Sequence, residues 1–118
     1  MKTVMTIAQL AAQRRTNADM EKITETFLKR QGLKENIKEN TMADIDFHMA
    51  IAAACHNKIL YDLYQSISLF LENHIAERHI ETNMHTDTID ALHEELYIAI
   101  KEQKPNVANI CVKNILKI

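Results

Sequence analysis

Residues Thr41–Asn57 read TMADIDFHMAIAAACHN, a stretch that sets one aspartate and one histidine against a nearly unbroken apolar run. From Phe47 to Cys55, His48 is the single strongly polar side chain. A helix that is apolar on most sides is a buried helix, and a buried imidazole needs a hydrogen-bond partner, a metal or a ligand. Asp44 lies one helical turn before His48, so both side chains share one face. The stretch therefore predicts a buried helix with a polar pair in its first half.

The composition of the whole chain predicts an all-α fold. The 118 residues include one glycine and one proline, whereas sheets and hairpins depend on glycine turns. At 118 residues, 47% of them hydrophobic, the chain is long enough to bury one hydrophobic core. We expect a single domain built as an antiparallel bundle of about six helices.

Apolar spacing and capping signals place the helices in chain order. Thr16 and Asp19 have the spacing of a capping box at the start of the second helix, and Gly32 is predicted to end that helix as a left-handed residue. A polar connecting loop or a frayed turn is expected over Leu33–Asn40. The residues expected at helical spacing on one face of each helix are Ile7, Leu10, Ala11 and Arg14; Met20, Ile23 and Phe27; Leu60, Leu63, Ile67, Phe70, Leu71 and His74; and Ile89, Leu92, His93, Leu96 and Ile100. In the last helix, Val107, Cys111, Ile115 and Ile118 are expected to face inward.

Charge and hydropathy exclude several classes of partner. The net charge is −2, and the lysines and arginines are scattered among acidic residues, so no basic stripe for nucleic acid is present. No apolar run approaches the ~18 residues that a membrane span needs. Cys55 and Cys111 lie in apolar contexts typical of buried thiols in a reduced, cytoplasmic protein. No glycine-rich phosphate loop or nucleophile motif indicates an enzyme.

Two predicted helices each direct a histidine inward, His48 and His93. Imidazole and carboxylate ligands that converge from separate helices form metal sites in bundles, and this set suits zinc, nickel, manganese or iron. The alternative is structural: Asp44 accepts a hydrogen bond from His48, and a tyrosine, a backbone carbonyl or water satisfies His93. Cys55 lies about 10 Å further along the helix than His48, too far to share one ion, and is expected to pack in the core.

Three segments together resemble one protein family over nearly the whole chain. They are AQLAAQRRTNADM, ADIDFHMAIAAACHNKIL and LHEELYIAI, which contain Ala11–Thr16, Asp44–Asn57 and His93–Ile100. Their order and spacing resemble the FadR-type C-terminal effector domain of GntR-family transcription regulators. Asp44-Ile45-Asp46-Phe47-His48 is the most specific of these matches.

The resemblance implies a helical bundle that binds a small carboxylic acid beside or on a metal held by one aspartate and three histidines. Asp44, His48 and His93 match three of these ligands by position. The position that matches the fourth is Ile115, which cannot bind a metal. The only candidate substitute is His74 on the fourth helix, and the alternative interpretation of His74, an ordinary amphipathic histidine at a helix end, is preferred.

The predicted function is therefore ligand sensing and homodimerisation within a GntR-type regulator. Family members carry a winged helix-turn-helix domain before this one, whereas this chain begins where the first effector-domain helix is already under way. We expect residues 1–118 to form the effector domain alone, with a shortened first helix, so that DNA is contacted only through a domain absent from this chain. The alternatives are a metal-dependent enzyme using the same residues and a helical oligomerisation module without a ligand.

Overall fold

The computed structural model describes residues 2–32, 37–82 and 86–117, and these form six helices. Their bounds are α1 Lys2–Arg14, α2 Asn17–Gln31, α3 Ile37–Ala54, α4 Lys58–Thr82, α5 Thr86–Lys101 and α6 Pro105–Lys117. The prediction of an all-α bundle of six helices is confirmed. Pro105 occupies the first position of α6, where its missing N–H has no helical partner to lose.

The core lies between α1, α3, α5 and α6, and α2 packs against α3 and α5. Small side chains of α1, Ala11 and Ala12, are completely buried and allow the neighbouring helices to approach closely. Phe47, Leu96 and Ile100 are among the largest fully buried side chains. The predicted burial of α3 is therefore observed, and its polar pair lies inside the bundle.

The start of α2 agrees with the sequence, and its end does not. The Thr16 hydroxyl accepts from the Asp19 N–H at 3.1 Å, while the Thr16 N–H donates to Asp19 Oδ2 at 2.8 Å, which completes the capping box. Gly32 has φ −72° and ψ −10°, so the predicted left-handed conformation is wrong. The right-handed conformation is possible because the Gly32 N–H continues the helical pattern by donating to the Leu28 carbonyl at 3.2 Å.

The loop predicted over Leu33–Asn40 is wrong at its end, because α3 already begins at Ile37. Lysine and glutamate are good helix formers despite their polarity. Leu33–Asn36 lie outside the described residues. At the other end, His56 takes a left-handed φ of 51°, and Asn57 then caps α4 by accepting from the Leu60 N–H at 3.1 Å.

The buried face of α4 differs from the predicted stripe. Tyr64, Ser68 and Leu71 are buried, whereas Leu63 is 45% and Phe70 77% exposed. The helix carries apolar residues on two sides, and spacing alone does not tell which side meets the bundle. Val107 of α6, predicted to face inward, is 45% exposed, and Ile118 lies outside the described residues.

Across the described ranges, no helix is both long enough and apolar enough to cross a membrane.

Candidate metal and effector site

Helices α3 and α5 bring Asp44, His48 and His93 together inside the bundle. Each offers one ligand atom, and these atoms all lie within 4.8 Å of one another. Asp44 Oδ1 is 3.1 Å from His93 Nε2, and Asp44 Oδ2 is 3.5 Å from His48 Nε2. The structure therefore brings together the three side chains that the sequence singled out as metal ligands.

His93 is oriented by the backbone of its own helix. Its Nδ1 lies 2.8 Å from the Ile89 carbonyl oxygen, and because a carbonyl can only accept, Nδ1 carries the proton. In the neutral ring Nε2 then holds a lone pair. Among the described residues this buried Nε2 makes no hydrogen bond, although Asp44 Oδ1 is near. A histidine fixed through Nδ1–H with Nε2 turned toward a carboxylate has the arrangement of a metal ligand.

His48 is neutral at pH 7. Burial lowers its pKa to about 4, because the charged imidazolium loses its hydration. The Asp44 carboxylate opposes this shift, while His93 and the Arg30 guanidinium add to it. A neutral imidazole is the form that binds metals.

A buried arginine from α2 completes the cluster. Arg30 is 3% exposed; its Nε donates to Asp44 Oδ1 at 2.6 Å, and its Nη1 donates to Asp90 Oδ1 at 3.0 Å. Arg30 Nη2 lies 3.4 Å from His93 Nδ1, a contact without a hydrogen bond because Nδ1 already carries a proton. Since a guanidinium stays charged, Asp44 and Asp90 are its counterions.

The types of donor atom fit a divalent ion, and the three atoms must move closer together to bind it. Two ligands bound at about 2.1 Å to a tetrahedral ion are about 3.4 Å apart, so a pair separated by 4.8 Å must approach by about 1.4 Å. Two imidazoles and a carboxylate would hold zinc, nickel, manganese or iron. The cationic Arg30 beside the same carboxylate opposes that binding.

The remaining predicted site residues lie elsewhere. Ile115 is 2% exposed and packs in the hydrophobic core, without a ligand atom to offer. His74 of α4 is exposed and is not part of the ligand group. Cys55 is completely buried and packs in the core, as predicted.

Sequence reasoning missed Arg30 and Asp90. A signal for Arg30 was present, because it continues the buried stripe of Ile23 and Phe27 at helical spacing. An arginine on such a stripe requires buried counterions. Asp90 lies three residues before His93, one turn earlier on α5, and had no comparable signal.

Comparisons with known proteins agree with this architecture. Residues 5–117 match the FCD domain. The chain is 32% identical over 90 residues to the HTH-type transcriptional regulator LutR of Bacillus subtilis, covering 75% of this chain and 41% of that protein. It is 32% identical over 109 residues to the Glc operon transcriptional activator of Escherichia coli K12, covering 86% of this chain and 43% of that protein.

A solved structure shares the fold. E. coli McbR/YncC aligns with a TM-score of 0.77 at 16% identity, covering 98% of this chain and 59% of that one. The chain thus spans less than half the length of the curated relatives it matches. Those relatives are transcription regulators, which agrees with the prediction that the chain is not an enzyme.

Proposed function

The chain belongs to the FCD domain family, the regulatory effector-binding domain of GntR-type transcription regulators, and from this premise we propose that it senses a small carboxylic acid at Asp44, His48 and His93. The observation that carries the proposal is the convergence of these three ligand atoms within 4.8 Å inside the bundle. The position of His93 Nε2, buried and 3.1 Å from Asp44 Oδ1, supports the same proposal.

The proposed roles follow from the contacts of each residue. His93 is held by the Ile89 carbonyl, which keeps Nε2 available as a ligand. Asp44 supplies the anionic oxygen, and His48 supplies a neutral imidazole. Phe47 is completely buried beside both histidines, with ring centroids 5.3 Å from His48 and 6.3 Å from His93, and limits the access of water. A divalent ion bound there would give the effector carboxylate a cationic partner.

The effector would act through a dimer. Ile59, Leu63 and Phe70 are exposed and lie within about 40° of one another around α4, because a helix turns about 100° per residue. We propose that this α4 stripe packs against a second copy, and that effector binding shifts the population between two packings of the dimer. Operator binding by a winged helix-turn-helix domain outside this sequence, and a cytoplasmic location, are part of the same proposal.

Metal content tests the site. Protein purified without chelator should contain bound divalent metal, up to about one ion per chain. His48→Ala and His93→Ala should each lose this metal. His74→Ala is the matched control, because it removes an exposed histidine from α4. Equal and negligible metal in all four proteins would contradict the metal site. Loss of metal in His74→Ala to the same degree would place the ion elsewhere.

A further inference from the structure

We propose that Arg30 sets the affinity of the site for metal by competing with a divalent ion for Asp44. This inference rests on the proposed function, because it concerns the ion that Asp44, His48 and His93 would hold. The arginine would keep the ion exchangeable.

The competition concerns one atom. Asp44 Oδ1 accepts from Arg30 Nε at 2.6 Å and lies 3.1 Å from His93 Nε2. The oxygen nearest the ligand nitrogen of His93 is therefore the oxygen already bonded to the guanidinium. An ion bound between Asp44 Oδ1 and His93 must share this oxygen with Arg30 or displace the hydrogen bond.

Arg30 has little freedom to withdraw. Its side chain is 4% exposed, and a second carboxylate, Asp90, holds Nη1 at 3.0 Å. Asp90 is itself only 13% exposed in its side chain. The guanidinium is anchored from α5 while it contacts α3, so a divalent ion would meet a fixed positive charge in surroundings that screen it poorly.

The charges of the cluster point the same way. Arg30 is the cation of the cluster, and its guanidinium bonds the carboxylates of Asp44 and Asp90. Removing Arg30 takes one hydrogen-bonded cation away from Asp44 and Asp90, which should make the site stronger for a divalent ion. This change also makes the cluster more negative, so a variant that keeps its net charge is needed to separate competition for Oδ1 from simple attraction.

Calorimetric titration of zinc and nickel into the metal-free protein tests the inference. Two variants should bind zinc more tightly than the wild type: Arg30→Gln, and the charge-matched double variant Arg30→Gln with Asp90→Asn. The expected gain in affinity is about 10–100-fold, the size of effect that residues around a metal site have on metal affinity. Lys29→Gln is the matched control, since it removes an exposed charge from the adjacent position and should leave the affinity unchanged. His93→Ala should bind poorly.

Three results are distinguishable. Tighter binding by both arginine variants supports the proposal. Wild-type affinity in the charge-matched pair would overturn it, because net charge and not Oδ1 would then set the affinity; the site itself would stand if His93→Ala still bound poorly. Absence of binding in every protein would overturn the metal site and the inference with it. Circular dichroism establishes folding, and if Arg30→Gln alone does not fold, the charge-matched pair decides.

Discussion

At the scale of single residues, Asp19 joins the start of α2 to the turn between α3 and α4. Its carboxylate accepts from the Thr16 N–H at 2.8 Å and lies 2.6 Å from His56 Nε2. Burial alone would raise the pKa of Asp19, but the hydrogen bonds from Thr16 and His56 together outweigh it and lower the pKa below its ordinary value. The folded protein thus favours the ionised carboxylate.

This lowered pKa predicts how acid affects stability. A carboxyl group whose pKa is lower in the folded state stabilises the fold above its unfolded pKa of about 3.9, and that contribution is lost as the pH falls through the folded pKa. Asp19→Asn should therefore be less stable than the wild type at neutral pH, with the difference shrinking below about pH 4. Urea unfolding across this range measures it. A constant difference at all pH values would contradict the assignment; Asp62→Asn, at an exposed pair with Lys58, is the control.

Residue patterns predicted the three candidate ligands better than their partner, Arg30. Asp44, His48 and His93 interrupt apolar faces, so their inward direction could be read from spacing. The burial of Arg30 was not predicted, because arginines usually extend their charged group to solvent. Its burial depends on Asp44 and Asp90, which come from two other helices, and a pattern within one helix contains no information on such partners.

At the scale of elements, α4 shows the limit of periodicity. The helix has one apolar side with Tyr64 and Leu71 and another with Leu63 and Phe70, and only the first packs on the bundle. The sequence predicted the helix and nearly its bounds. It did not predict which side is buried, because the tertiary packing of α4 against α3 decides this.

The exposed side of α4 predicts a dimer that a single charge should break. Phe70→Glu would bury a carboxylate without a partner in an apolar interface, a cost that disfavours association. Sedimentation equilibrium should show a dimer for the wild type and a monomer for Phe70→Glu. Ile110→Glu, at a 55% exposed apolar position of α6, should remain dimeric. A monomeric wild type, or an equal effect of both variants, would contradict the α4 interface.

At the scale of the whole molecule, the candidate site exists because α5 meets the consecutive helices α2 and α3. Asp44 and His93 are 49 positions apart, and Arg30 reaches them from a third helix. The order of the sequence motifs indicated the family and the inward direction of Asp44, His48 and His93. The division of Asp44 between a guanidinium and a candidate ion required the assembled bundle, since it depends on which oxygen each neighbour contacts.

The melting temperature of protein prepared without metal tests the central claim, that the site of Asp44, His48 and His93 senses a carboxylate. Zinc would be added alone and with acetate, succinate or citrate, which carry one, two and three carboxylates. A ligand at about 100 times its Kd adds about 2.7 kcal/mol. With zinc present, at least one acid should therefore raise the melting temperature of the wild type and of His74→Ala by several degrees, and leave His93→Ala unchanged. No shift in the wild type, or an equal shift in His93→Ala, would contradict the claim.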